Sequence, residues 1–158
     1  MFNAHFPRTM FEHTPAFVDS YPANTMDNSA MEFLAGGVRW LVVSLKYNPT
    51  PEELAWADQV IAAHPRHQVM LNAHEYQAEV NRSAIGNRIW NDLARKHENV
   101  QWVFSGHYTS AGNRTDQGDN GNTVYGVQAD YQTYSLPRVT ENSYLRLMTF
   151  DTSAGTVE

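Results

Sequence analysis

Cysteine is absent from the 158 residues, so neither a disulfide framework nor a thiolate metal site is available. Any metal must therefore be held by His, Asp, Glu or Asn. Basic residues are few: 11 Lys and Arg against 17 Asp and Glu leave a formal charge of -6. That balance argues against the broad cationic surface that nucleic-acid phosphates or acidic lipids require. Long apolar runs are lacking too. The strongest, residues 40–45, falls far short of the roughly 20 needed to cross a bilayer and reads instead as a buried strand. The start, Met1-Phe2-Asn3-Ala4-His5-Phe6-Pro7-Arg8, has no basic head, apolar middle and small-residue cleavage site. The expectation is a soluble protein with no signal peptide, no membrane span and no nucleic-acid partner. Gly-x-x-x-x-Gly-Lys and Gly-x-Ser-x-Gly are also missing, which removes the phosphate-loop and serine-hydrolase readings.

What is present, 42% hydrophobic and 12% aromatic residues, suits one α/β domain over residues 1–158. Residues 1–28 form its irregular arm, where Phe2, Phe6, Phe11, Phe17 and Tyr21 alternate with Pro7, Pro15 and Pro22. Residues 31–35 and 38–45 are predicted strands joined by Gly36-Gly37, glycines that accept the positive φ of a tight turn. Thr50-Pro51-Glu52-Glu53 combines a capping hydroxyl, a first-turn proline and a capping-box glutamate, predicting a helix to about residue 63. A strand over 68–73, a helix from Ser83 to about His97 and a strand over 100–105 follow. Strand, helix, strand, helix, strand is the βαβαβ pattern, whose right-handed crossovers lay the strands parallel. Antiparallel segments over 123–130 and 144–150 come after it, with Asn120-Gly121 as a hairpin turn.

Of the seven histidines, His64, His67 and His97 sit at helix carboxyl ends, where the dipole or solvent accounts for them, and His5 and His13 lie in the arm. His74 and His107 differ, because each directly follows an apolar strand. On parallel neighbours both would emerge at the carboxyl edge of the sheet, where open α/β folds bind ligands. Two readings stand: the imidazoles share one metal ion, or they are satisfied loop histidines. Gly106 leaves room for a ligand beside His107. The acidic loop from Asp116 to Gly121 has the wrong spacing for calcium and reads as a polar hairpin.

The segments Asn72-Ala73-His74, Ser105-Gly106-His107-Tyr108-Thr109, residues 118–125 and Ala129-Asp130-Tyr131-Gln132 together resemble the bacterial calcineurin-like metallophosphoesterases. The similarity runs from about residue 24, through Asp27-Asn28, to about residue 147. It implies a β sandwich flanked by helices and a dinuclear centre of Mn, Fe or Zn that activates water against a phosphate ester. His74 and His107 match positions that hold the second metal, and Thr109 stands where the family has a third histidine. A hydroxyl is a poorer transition-metal ligand than imidazole.

The family's upstream Asp-x-His, Gly-Asp and Gly-Asn-His elements are not found in that order in this chain. The match is therefore to the carboxyl-terminal portion of such an enzyme, with an incomplete metal site. Glu75 is either a solvated loop acid or a substitute ligand, and Asp130 either orients a ligating histidine or caps its own turn. The expected function is hydrolysis of a phosphate-ester substrate, inactive in this chain alone and completed by an amino-terminal half or a homo-oligomer partner. The alternative is a non-catalytic binding or regulatory module that docks a partner chain.

Overall fold

A computed structural model describes residues 2–132 and 144–158. The single domain expected over 1–158 includes residues 1 and 133–143, which lie outside the described residues. The elements are α1 (Phe2–His5), β1 (Phe17–Tyr21), β2 (Asn28–Ala35), β3 (Val38–Leu45), α2 (Pro51–Ala63), β4 (Gln68–Ala73), β5 (Gln77–Ala78), β6 (Asn81–Arg82), α3 (Ala84–Asp92), β7 (Val100–Ser105), β8 (Ser110–Gln117), β9 (Thr123–Asp130), β10 (Phe150–Asp151) and β11 (Thr156–Val157). Seven strands form one mixed sheet in the order β1-β2-β3-β4-β7-β9-β8. β3, β4, β7 and β9 run parallel, while β1–β2–β3 and β8–β9 are antiparallel flanks. The βαβαβ unit is thus present within a mixed α/β architecture, while the segment 123–130, expected to follow it as an antiparallel strand, pairs parallel with β7 and antiparallel with β8.

One face of the sheet is buried under the helices. Leu41, Val43, Val69, Leu71 and Val103 meet Leu54, Ala57 and Ile61 of α2, Ile89 of α3 and Leu93 just after it, each at most 2% exposed. Each large aliphatic side chain removed from water in this way stabilises by about 1.5–3 kcal/mol. The helix start is as the sequence specifies. Thr50 Oγ1 accepts from the Glu53 N–H and the Glu53 carboxylate from the Thr50 N–H, closing a capping box with Pro51 in the first turn. Ser83 caps α3 by accepting from the Gly86 N–H. The opposite face carries Trp40, Trp102 and Val127, over which β10 and β11 lay Phe150 at 5.7 Å from Trp40 and 5.2 Å from Trp102. Among the described residues this hairpin is the whole of a second β layer.

Three expectations need correction. The arm is not wholly irregular, because residues 17–21 pair with β2 as an edge strand, and Asn28 is the fully buried first residue of β2. Prolines at both ends hid so short a strand. The expected strand over 144–150 reduces, among the described residues, to its last residue: β10 begins at Phe150, Leu145 and Leu147 are more than 80% exposed, and Thr149 exchanges backbone hydrogen bonds with Glu158. Its alternating pattern is real, with Met148 turned toward the aromatic cluster. The second helix stops at Asp92, where Leu93 leaves helical geometry at φ -135° and a 3-10 turn over 94–96 follows. Four strands were not anticipated at all: β5, β6 and β11, each only two residues long, and β8, whose sequence Ser-Ala-Gly-Asn-Arg-Thr-Asp-Gln is polar at six of eight positions and shows no apolar alternation.

Gly86 fixes how closely α3 approaches the β4 exit loop. A Cβ there would lie 1.7 Å from the Tyr76 carbonyl oxygen, a backbone atom that also accepts from the Ser83 N–H. Gly86→Ala is expected to cost about 3 kcal/mol or more, since a backbone must move. Gly121→Ala, in open space at φ +78°, should cost only left-handed strain, about 1–2 kcal/mol. Denaturant unfolding of both variants checks the contrast.

Candidate metal centre

β4 and β7 are adjacent and parallel, with Ala73 opposite Ser105, so the residues leaving both strands emerge together. The two exits are tied by the Gly106 N–H donating to the His74 carbonyl at 3.2 Å. His107 then adopts φ +69°, the left-handed region that few side chains enter. This turns its ring back over the β4 exit. His74 Nε2 and His107 Nδ1 lie 3.0 Å apart, with ring centroids 5.0 Å apart. The pairing of the two histidines across neighbouring strands is the arrangement their positions in the sequence anticipated.

Glu75 is no solvated acid: it is 6% exposed, with Oε2 3.6 Å from His107 Nε2, and its other oxygen accepts from the Tyr108 hydroxyl at 3.2 Å. Desolvation, followed by the nearby Glu75 charge, raises the Tyr108 phenol above its ordinary 10.0, so it stays protonated and able to donate. Tyr47, from the loop after β3, covers both imidazoles at 5.2 and 5.6 Å. Neither Tyr47 nor Tyr108 was singled out from the sequence. The topology holds the signal, because Tyr47 follows the third parallel strand at the same edge. Thr109 is exposed. Asp130 accepts from the Gln132 N–H at 3.0 Å and so caps its own turn. A Cβ on Gly106 would stand 3.8 Å from Asp130 Oδ2, an ordinary contact, so packing alone does not demand glycine there.

Other histidines are spent on the scaffold. His64 Nδ1 lies 2.6 Å from the Val60 carbonyl oxygen, and His67 and His97 each lie 2.9 Å from a carboxylate, Glu32 and Asp58. The Asp116–Gly121 loop is likewise committed: Asp116 pairs with Arg82 and Arg114, and Asp119 with Arg95. Among the described residues no group of three or more His, Asp or Glu gathers as a metal cage.

Beside the histidines, Lys46 Nζ lies 2.7 Å from Glu53 Oε1, and Asn28 links Tyr21 to the Lys46 N–H. Burial alone would raise the Glu53 carboxyl, but the Lys46 ammonium, the Thr50 N–H and Asn28 outweigh it and hold the group below its ordinary 4.5.

No family model matches the chain. Over 124 residues, 74% of the chain, it is 35% identical to the Uncharacterized protein YvnB of Bacillus subtilis (strain 168), and it spans 9% of that protein's length. The fold and site define an α/β protein with a histidine pair at the carboxyl edge of its parallel strands.

Because the Glu53 pKa is depressed on folding, its contribution is present above the unfolded value and is lost as pH falls through the folded one. Unfolding free energy should therefore drop below about pH 4.5. Glu53→Gln, keeping the cap acceptor but not the charge, should lose about 1.5–3 kcal/mol at pH 7 and flatten that acid limb in urea titrations.

Proposed function

We propose that this chain supplies two histidine ligands, His74 and His107, to a divalent metal centre that hydrolyses phosphate esters, in the manner of the metallophosphoesterases its motifs resemble. The observation that carries the reading is the 3.0 Å separation of His74 Nε2 and His107 Nδ1 at the strand edge. Two imidazole nitrogens each about 2.1 Å from a shared Zn²⁺ stand roughly 3.0 Å apart at a right angle and about 3.4 Å apart at the tetrahedral angle. The donors present fit two positions of a coordination sphere, for Mn, Fe or Zn alike.

A divalent ion there supplies Lewis-acid polarisation of a phosphoryl oxygen and a hydroxide nucleophile near neutral pH. The chain's own groups do the rest of what this edge can do. His74 and His107 bind through nitrogens already converged by the β4–β7 register. Tyr47 covers both rings and limits water on that side. Further ligands would come from a segment or chain that completes this edge, an amino-terminal half or a homo-oligomer partner, and turnover by this chain alone is expected to be low. A second reading, a non-catalytic module docking a partner, is favoured by one feature: Phe33 and Tyr125 stand 45% and 41% exposed on the sheet face opposite the helices.

Co²⁺ titration of the purified chain, followed by visible absorption, should report one nitrogen-ligated site. His74→Ala and His107→Ala should each weaken it about tenfold or more. Phosphodiester and phosphomonoester turnover with Mn²⁺, Zn²⁺ or Fe²⁺ should fall to background in both variants. Unchanged Co²⁺ affinity in both would overturn the metal reading; a histidine-dependent site with no turnover, even after a completing partner binds, favours the docking module.

A further inference from the structure

Each histidine of the pair has two ring nitrogens, and only one can serve the site. On His107 the inner nitrogen, Nδ1, faces His74, while the outer one, Nε2, faces a carboxylate that the fold has taken out of water. A carboxylate 6% exposed needs compensation. Among the described contacts it has two partners: the Tyr108 hydroxyl on Oε1 and the His107 ring on Oε2. Both of these come from the turn after β7, whereas Glu75 comes from the exit of β4. The contact at 3.6 Å is within ion-pair range and longer than a hydrogen bond, so the carboxylate acts on the ring chiefly through its charge.

We infer that Glu75, held in place by Tyr108, is a positioning residue that fixes His107 as the Nε2–H tautomer in its left-handed conformation and so presents the Nδ1 lone pair toward His74. A carboxylate beside the outer nitrogen favours a proton on that nitrogen, leaving the inner one as acceptor. In the metal-free protein this assigns the 3.0 Å contact its direction: His74 Nε2–H donates and His107 Nδ1 accepts. The same Nδ1 lone pair is the one a metal would take. The left-handed backbone of His107 also has its explanation here, since it swings the outer nitrogen toward Glu75 while the inner one meets His74. The ligating role rests on the metal reading above, but the tautomer does not.

The test separates the two. Ring ¹⁵N shifts of His107 in the metal-free protein, at a pH where imidazoles are neutral, should show a protonated Nε2 and an acceptor Nδ1. Glu75→Gln keeps an oxygen acceptor and should preserve that pattern. Glu75→Leu, of similar volume but without an acceptor, should mix the tautomers, and Tyr108→Phe should do so partially. Co²⁺ affinity should follow, about 10- to 100-fold weaker in Glu75→Leu and nearer wild type in Glu75→Gln. An unperturbed His107 pattern in folded Glu75→Leu, or a protonated Nδ1 in the wild type, overturns the inference. The expected tautomers in a protein that binds no Co²⁺ support it and remove the metal reading instead.

Discussion

The parallel pairing of β4 with β7 is the constraint on which the remainder of the molecule depends. It sets Ala73 beside Ser105 and thereby decides that His74 and His107 leave the sheet together. Parallel strands cannot be joined by a tight turn, so the pairing requires the α3 crossover, and that helix closes the core through Ile89 and Trp90. Hydrophobic burial beneath the helices and placement of polar groups at the strand ends are consequently one event. A change that loosened the α3 face would displace the histidines without touching them.

Stability elsewhere comes from polar groups buried in company. Asp116 is flanked by Arg82 and Arg114, whose charges outweigh its desolvation and hold its carboxyl below the ordinary range. Beside this cluster Tyr76 is fully buried and its phenol is pushed up to about 12, chiefly by burial, so it stays neutral. Gln77 and Gln128, also fully buried, stitch the small β5–β6 hairpin to β8 and β9 through backbone carbonyls and the Glu79 N–H. In a chain without cysteine these networks tie loop to sheet.

The periodic elements were legible because local chemistry and tertiary role agree in them. Thr50, Pro51 and Glu53 specify a helix start that packing then uses, and the apolar run 40–45 specifies a strand covered on both faces. Elements that draw their order from neighbours were not legible. β8, with polar side chains at six of its eight positions, exists because β9 offers it a complete ladder, and residues 145–149 carry a strand's alternation outside any strand of the described residues. The histidine pair could be read from strand exits alone. Glu75 was visible as a candidate, but its burial was not, because it is tied to Tyr108 of the turn after β7, a contact 33 residues away in the chain.

The two outer strands of the sheet share a property with consequences for assembly. β1 is short, breaks register between Phe17 and Asp19, and lies between Pro15 and Pro22. β8, at the far edge, is polar and carries Arg114 and Asp116. Neither is a good template for another chain to extend, because irregular, proline-bracketed or charged borders resist strand addition. Among the described residues the sheet is thus finite by construction, with borders that disfavour the open-ended growth that leads to fibres.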